Sequence, residues 1–224
     1  MNEKMNVLIA CEFSGIVREE FNKLGHNAWS CDLVESEKKG NHLTGDIFQY
    51  IGPNKYNNGE GWDLMIAHPP CTYLTVTGNK WYYHPDDKGK PLDERRPHPR
   101  FPNRQECKLA AIDFFKKLAN APIDKICVEN PVGIMSTNYK KPNQIIQPYE
   151  YGHVEAKKTC LWLKNLPLLK PTKIVEPEYV TFKSGKRMAK WYVEAASKPP
   201  AERTKIRNRT FTGIAEAMAN QWGR

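Results

Sequence analysis

Apolar residues fall in short runs along this chain, separated by stretches whose apolar positions recur at helical spacing. Residues 5–10 predict a buried strand, and Ser14-Gly15 opens a helix through residue 24. Residues 28–32 predict a second strand ending in an acid, and residues 63–67 a third. A helix is expected over 108–118, and a short strand over 125–128, closed by Glu129-Asn130-Pro131. Residues 159–163 predict another strand and 214–222 a C-terminal helix. Strands alternating with helices imply parallel pairing and right-handed crossovers, so the fold class is α/β, a doubly wound sheet with helices on both faces. Residues 74–105 follow neither period. A segment so rich in Pro, Gly and charge is too long for an idle connection and is expected to be functional or mobile.

Composition narrows the class. The chain has 224 residues, 40% of them hydrophobic and 11% aromatic, enough for one large core with a small appendage and too many for a disordered chain. No apolar run approaches the roughly 20 residues of a membrane span, and no secretory leader is expected at the start. Cysteines at 11, 31, 71, 107, 127 and 160 show no C-x-x-C pair and no metal-ligand spacing. They are expected to be reduced thiols in a cytoplasmic protein without a metal.

Charge changes the picture more. Thirty-four Lys and Arg against 25 acids leave a net charge of +9, which favours a polyanionic partner. One basic cluster holds Lys80, Arg95, Arg96, Arg100 and Arg104 beside Trp81, Tyr82, Tyr83 and Phe101. A second holds Lys186, Arg187, Lys190, Arg203, Lys205, Arg207 and Arg209 around Trp191 and Tyr192. Cations interleaved with aromatics suit phosphate contacts and base stacking, although solvated surface loops carry the same composition.

Candidate chemistry starts at His68-Pro69-Pro70-Cys71. Two prolines after a strand restrict the backbone and place the thiol beyond the strand's carboxyl end, where ligands of open α/β sheets bind. A thiolate there is a nucleophile; a free Cys is otherwise a small buried hydrophobe. Earlier in the chain, Gly15 permits a tight turn before a helix, and Asp32 ends a strand where a carboxylate can hold ribose hydroxyls. Gly45-Asp46-Ile47-Phe48 adds a turn with a carboxylate for an exocyclic amine and an apolar surface for a purine. The full Gly-x-Gly-x-x-Gly pattern is absent, which disfavours a dinucleotide, whereas a nucleoside-containing ligand without a pyrophosphate needs fewer glycines; Asp32 and Asp46 are otherwise helix-cap or turn residues.

The order of these elements resembles the DNA cytosine-5 methyltransferase family. Pro69-Pro70-Cys71 matches its nucleophile motif, Glu129-Asn130-Pro131 resembles Glu-Asn-Val, and Phe13-Ser14-Gly15 resembles the first cofactor motif with fewer glycines. Residues 151–163, with Lys157 and Lys158 where arginines are expected, resemble the Gln-x-Arg-x-Arg region, and 213–222 resembles the last motif. The resemblance implies a Rossmann-like S-adenosylmethionine-dependent fold, mainly parallel, from a short member of phage or mobile-element type.

It further implies that Cys71, Glu129, Lys157 and Lys158 are catalytic, Glu129 acting as an acid kept protonated by an apolar or crowded site. Phe13, Ser14, Gly15, Asp32, Asp46, Ile47 and Pro69 would contact the cofactor. Lys80, Trp81, Arg95, Arg96, Arg100, Arg104, Lys186, Arg187 and Lys190 would contact double-stranded DNA with one cytosine flipped out. The implied organisation is a catalytic unit over 1–163 with the loop 74–105, a small basic target-contact region over 164–205, and a C-terminal helix over 206–224. Two alternatives stand beside it. One is a same-fold enzyme acting on a free pyrimidine nucleotide, and the other a catalytically silent DNA-binding protein. The sequence does not specify the oligomeric state.

Overall fold

The computed structural model describes residues 3–224. Its strands are β1 (Asn6–Ala10), β2 (Asn27–Asp32), β3 (His42–Thr44), β4 (Leu64–Ala67), β5 (Lys125–Pro131), β6 (Gln144–Ile146), β7 (Thr159–Lys164), β8 (Tyr179–Thr181) and β9 (Arg187–Ala189). Its helices are α1 (Ile16–Lys23), α2 (Arg104–Ala119), α3 (Met135–Asn138), α4 (Lys190–Ala196), α5 (Pro200–Asn208) and α6 (Thr212–Trp222). The first seven strands form one sheet in the order β3-β2-β1-β4-β5-β7-β6, and β8-β9 is a separate hairpin. The α/β, doubly wound class follows directly.

Continuous apolar runs explain why the central strands lie inside. Every residue of β1 and β4 is buried, because helices cover both faces of the sheet. Alternation divides their side chains between two cores. Val7, Ile9, Leu64 and Ile66 pack with Val17 and Phe21 of α1 and Ala215, Met218 and Trp222 of α6. Leu8, Ala10, Met65 and Ala67 face Ile112, Phe115 and Leu118 of α2. Full burial of Phe21 and Phe115 contributes roughly 1.5–3 kcal/mol each. Gly213 lets α6 approach the chain: a Cβ there would stand 1.9 Å from the carbonyl oxygen of Tyr151.

Four features of the structure refine the reading of the sequence. First, β7 pairs antiparallel with β5, with Glu129 opposite Leu161. The connection between them holds α3, the short β6 and a 3₁₀ turn over Pro148–Glu150, not a crossover helix, so parallel return is not available. Second, α2 begins at Arg104, four residues before the apolar period becomes visible. Third, the stretch over 74–105 is a folded unit of short 3₁₀ turns (Val76–Trp81, Pro85–Asp87, Leu92–Glu94) built around Asp87. The buried Asp87 carboxylate accepts from Arg96 Nε at 2.9 Å, Arg96 Nη2 at 2.8 Å and Lys90 Nζ at 2.8 Å. Those bonds, Arg96 foremost, hold it well below the usual carboxylate range. Fourth, the first residues of the expected target-contact region pack on the main body. Leu169 is buried in the α1–α6 core and Trp222 Nε1 donates to the Pro167 carbonyl at 3.1 Å, so the chain leaves the main body only near β8. Helix α5 also runs across the expected boundary at 205.

Candidate active site

The carboxyl ends of β1, β2, β4 and β5 converge on one cavity of about 290 Å³. At the end of β4 the His68 amide still bonds the Ala10 carbonyl of β1 at 2.9 Å, and Pro69 and Pro70 then offer no donor to continue the ladder. Cys71 opens a turn in which its carbonyl accepts from the amides of Leu74 and Thr75, at 3.0 and 3.1 Å. At the end of β5 the buried Asn130 donates from Nδ2 to the Pro69 carbonyl at 2.8 Å, tying the two strand ends together. Beside it, His68 Nδ1 donates to Glu129 Oε2 at 3.0 Å. Cys71, Glu129, His68 and Lys157 thus share the cavity wall with Phe13, Asp32 and Pro69.

Ionisation differs from expectation at Glu129. Burial pushes its carboxyl up, but the hydrogen bond and charge of His68, with Lys157, outweigh burial and hold it below the usual value. It stands as a carboxylate, not as the protonated acid that the resemblance implies. Burial also pushes the Cys71 thiol up, and Glu129 adds to this, while Lys157 and Arg207 oppose them. The net direction is upward, so the thiol retains its proton in this arrangement.

Cys11 lines the same cavity. It sits at the end of β1 with φ +58°, and burial, then Asp32, Cys31 and Asp46, raise its thiol far above the ordinary range. One end of the cavity therefore carries Asp32, and the other carries Lys157 and Arg207 together with the Glu129 carboxylate.

The first turn is arranged differently from expectation. The buried Glu12 carboxylate caps α1, accepting from the Val17 amide at 2.7 Å, the Arg18 amide at 3.3 Å and Ser14 Oγ at 3.1 Å. Ser14 and Gly15 are buried and do not line the main cavity; Ser14 borders a small recess behind it. Gly15, at φ +67°, leaves space that Arg18 fills, since a Cβ would stand 2.7 Å from Arg18 Nη2. Asp46 caps a short turn by accepting from the Phe48 amide at 3.1 Å and lies outside the cavity wall, while Ile47 is buried in the core.

The remaining candidates divide. Lys158 is exposed and away from the cavity, because it alternates with Lys157 on entry to β7. Lys80, Arg100, Lys186 and Arg187 are exposed, and Lys80 Nζ lies 4.7 Å from the ring centre of the half-buried Trp81. Arg95 is half-buried, its Nε donating to the Lys90 carbonyl at 2.7 Å. Three candidates are committed elsewhere. Arg104 is buried between Tyr73 and Tyr82, at 5.0 Å from each ring centre, and donates to the Thr72 carbonyl. Arg96 holds Asp87, and Lys190 pairs with Glu178 at 2.8 Å.

Cys11, Val34, Asn130, Arg207 and Asn208 also line the cavity and were not singled out by the sequence as site residues. Arg207 and Asn208 end α5, and the only signal for them was the general basicity of the segment.

Among the described residues no three His, Cys, Asp or Glu side chains gather as a metal site requires, and no helix is long and apolar enough to cross a membrane. No protein-family model and no curated protein sequence matches the chain. Among solved structures, the chain is similar to an E. coli prophage-encoded protein whose own assignment as a DNA modification methyltransferase is provisional, with 13% identity and a TM-score of 0.46. The match covers 77% of this chain and 52% of that one, so the chain spans about half the length of that protein.

Proposed function

We propose that this protein transfers a methyl group from S-adenosylmethionine to carbon 5 of cytosine in DNA, with Cys71 as covalent nucleophile. The observation that carries the reading is the meeting of Cys71, Glu129 and Lys157 in one cavity that also reaches Asp32. Charge layout supports the choice of cofactor. The N-terminus of α1, the usual seat of a phosphate, is occupied by the chain's own Glu12 carboxylate, which disfavours a pyrophosphate. A cationic ligand with ribose hydroxyls suits the end of the cavity that Asp32 lines, and the exposed Leu33 and Val34 beside it offer an apolar surface for a purine. When bound, S-adenosylmethionine supplies an electrophilic methyl group on a positively charged sulfur.

Carbon 5 of cytosine is a poor nucleophile until a thiolate adds at carbon 6. Cys71 forms that bond, and the ring π electrons move toward carbon 5 and nitrogen 3. Charge arriving at nitrogen 3 needs a proton: the Cys71 thiol proton passes to the Glu129 carboxylate and on to nitrogen 3, while the carboxyl group, oriented by His68, accepts from the exocyclic amine. Lys157 keeps two donors for the ring carbonyl after its bond to the Arg207 carbonyl at 2.8 Å. After methylation, the carbon 5 proton passes to solvent, nitrogen 3 returns its proton to Glu129 and the thiolate leaves, which restores the ring. A base within a duplex does not reach such a cavity, so the target nucleotide leaves the stack. The folded basic unit after Cys71 supports the reading, since its exposed Lys80 and Arg100 offer charge to a strand.

A tritium-methyl transfer assay with duplex DNA, RNA and free pyrimidine nucleotides tests this. Label in DNA that is lost in Cys71→Ala supports the reading. Label confined to nucleotides would reassign the substrate, and no label combined with DNA binding would make the chain a binding protein.

A further inference from the structure

We propose that α5 is an ion-pair-latched cap whose Arg207 serves as a counter-charge to the Cys71 thiolate when that nucleophile forms. This deepens the reading of Cys71 as nucleophile and rests on it.

The helix is unusual among its neighbours. No residue of α5 is buried, so apolar packing does not fix its place over the cavity. Charge does. Glu37, in the loop after β2, accepts from Lys205 at 2.5 Å and from Arg209 at 2.8 Å, gripping the helix from both sides of Arg207. These bonds lower the Glu37 carboxyl, that of Lys205 first, despite partial burial. From inside the cavity, Lys157 Nζ donates to the Arg207 carbonyl. The guanidinium is itself oriented, with Cζ 4.6 Å from the centre of the Tyr192 ring. Its Nε is buried without a hydrogen-bond partner, a donor left open on a residue that lines the cavity with Cys71.

The groups facing Cys71 can be taken element by element. From β5 comes Glu129, which opposes ionisation of the thiol; from the end of β4 comes His68, engaged with Glu129. From β2 comes Asp32 and from the end of β1 the protonated Cys11, across the cavity. Lys157 before β7 and Arg207 from α5 are the cations that favour the thiolate. Lys157 is anchored on the main body. Arg207 is present only when the cap is closed, so closure and thiolate formation are coupled.

The test is site-resolved alkylation of Cys71 by iodoacetamide across pH, read by peptide mass spectrometry on the full-length protein. It needs neither methyl donor nor DNA, so it can fail independently of the methyl-transfer reading. The pH midpoint reports ionisation and the high-pH plateau reports access. Arg207→Gln should move the midpoint upward, with about tenfold less thiolate near neutral pH. Arg207→Lys should recover most of it. Glu37→Gln should raise both midpoint and plateau, and should leave the midpoint unchanged when Arg207 is already Gln. Salt of about 1 M, where screening shortens to about 3 Å, should move wild type toward Arg207→Gln. Thermal unfolding of each variant confirms that it is folded. Coincident midpoints for wild type and Arg207→Gln, or equal shifts for the Gln and Lys variants, would overturn the role of Arg207. An unshifted Glu37→Gln profile would overturn the latch.

Discussion

Two thiols line the same cavity and have opposite surroundings. Cys11 ends β1 and faces Asp32, Cys31 and Asp46, which together with burial keep it far from ionisation. Cys71 follows β4 across the cavity; burial and Glu129 oppose its thiolate, but Lys157 and Arg207 favour it. The difference lies in where each strand end delivers its residue. The β1–β2 side brings Asp32, suited to a cationic ligand, and on the Cys71 side Lys157 and Arg207 stand with the Glu129 carboxylate, suited to an electron-rich ring. A cavity polarised in this way can hold two reactants of opposite electronic demand in contact.

Substitutions can break that contrast, beginning with the largest effect. Glu129→Gln removes the carboxylate that the His68 bond holds ready, and methyl transfer should fall about a hundredfold in steady-state assays. Because the folded value of Glu129 is depressed, its ionisation stabilises the fold above the ordinary glutamate range and that contribution is lost as pH falls. The difference in unfolding temperature between wild type and Glu129→Gln should therefore narrow on acidification. Asp32→Asn tests the opposite end: calorimetry should show about tenfold weaker binding of S-adenosylhomocysteine, with the Cys71 alkylation midpoint unchanged. A shifted midpoint would mean that the two ends are not separable. The smallest effect belongs to Cys11→Ser, which should change methyl transfer by less than about threefold, as suits a thiol kept protonated. A larger loss would remove the distinction between the two cysteines.

How much of this could be read from the sequence depended on whether the cause was local. The strands and the long helices rest on apolar periodicity, and the placement of Cys71 rests on two prolines whose backbone limits travel with the sequence. The three-residue strands β3 and β6 are too short to show a period. The antiparallel course of β7 depends on the length of a connection rather than on the strand itself. A turn glycine at residue 15 was legible; that Arg18 would fill the space beside it was not, because Arg18 is bound by Ser30, Lys38 and Lys39 through the folded loop. The ionisation of Glu129 depends on His68, 61 residues earlier, and the arrival of Arg207 depends on ion pairs with Glu37. Tertiary electrostatics of this kind leaves no spacing to recognise. Arg104 is the converse case: a cation in a basic run reads as a phosphate contact, yet three aromatic rings and a carbonyl enclose it.

The account turns on a bond between Cys71 and carbon 6 of cytosine. DNA carrying 5-fluorocytosine traps such a bond, because fluorine cannot leave as a proton does. Incubated with that DNA and S-adenosylmethionine, the protein should gain the mass of the methylated oligonucleotide at the peptide containing Cys71, and the adduct should be absent from Cys71→Ala. Methyl transfer to ordinary DNA without any adduct, or an adduct at Cys11, would contradict it.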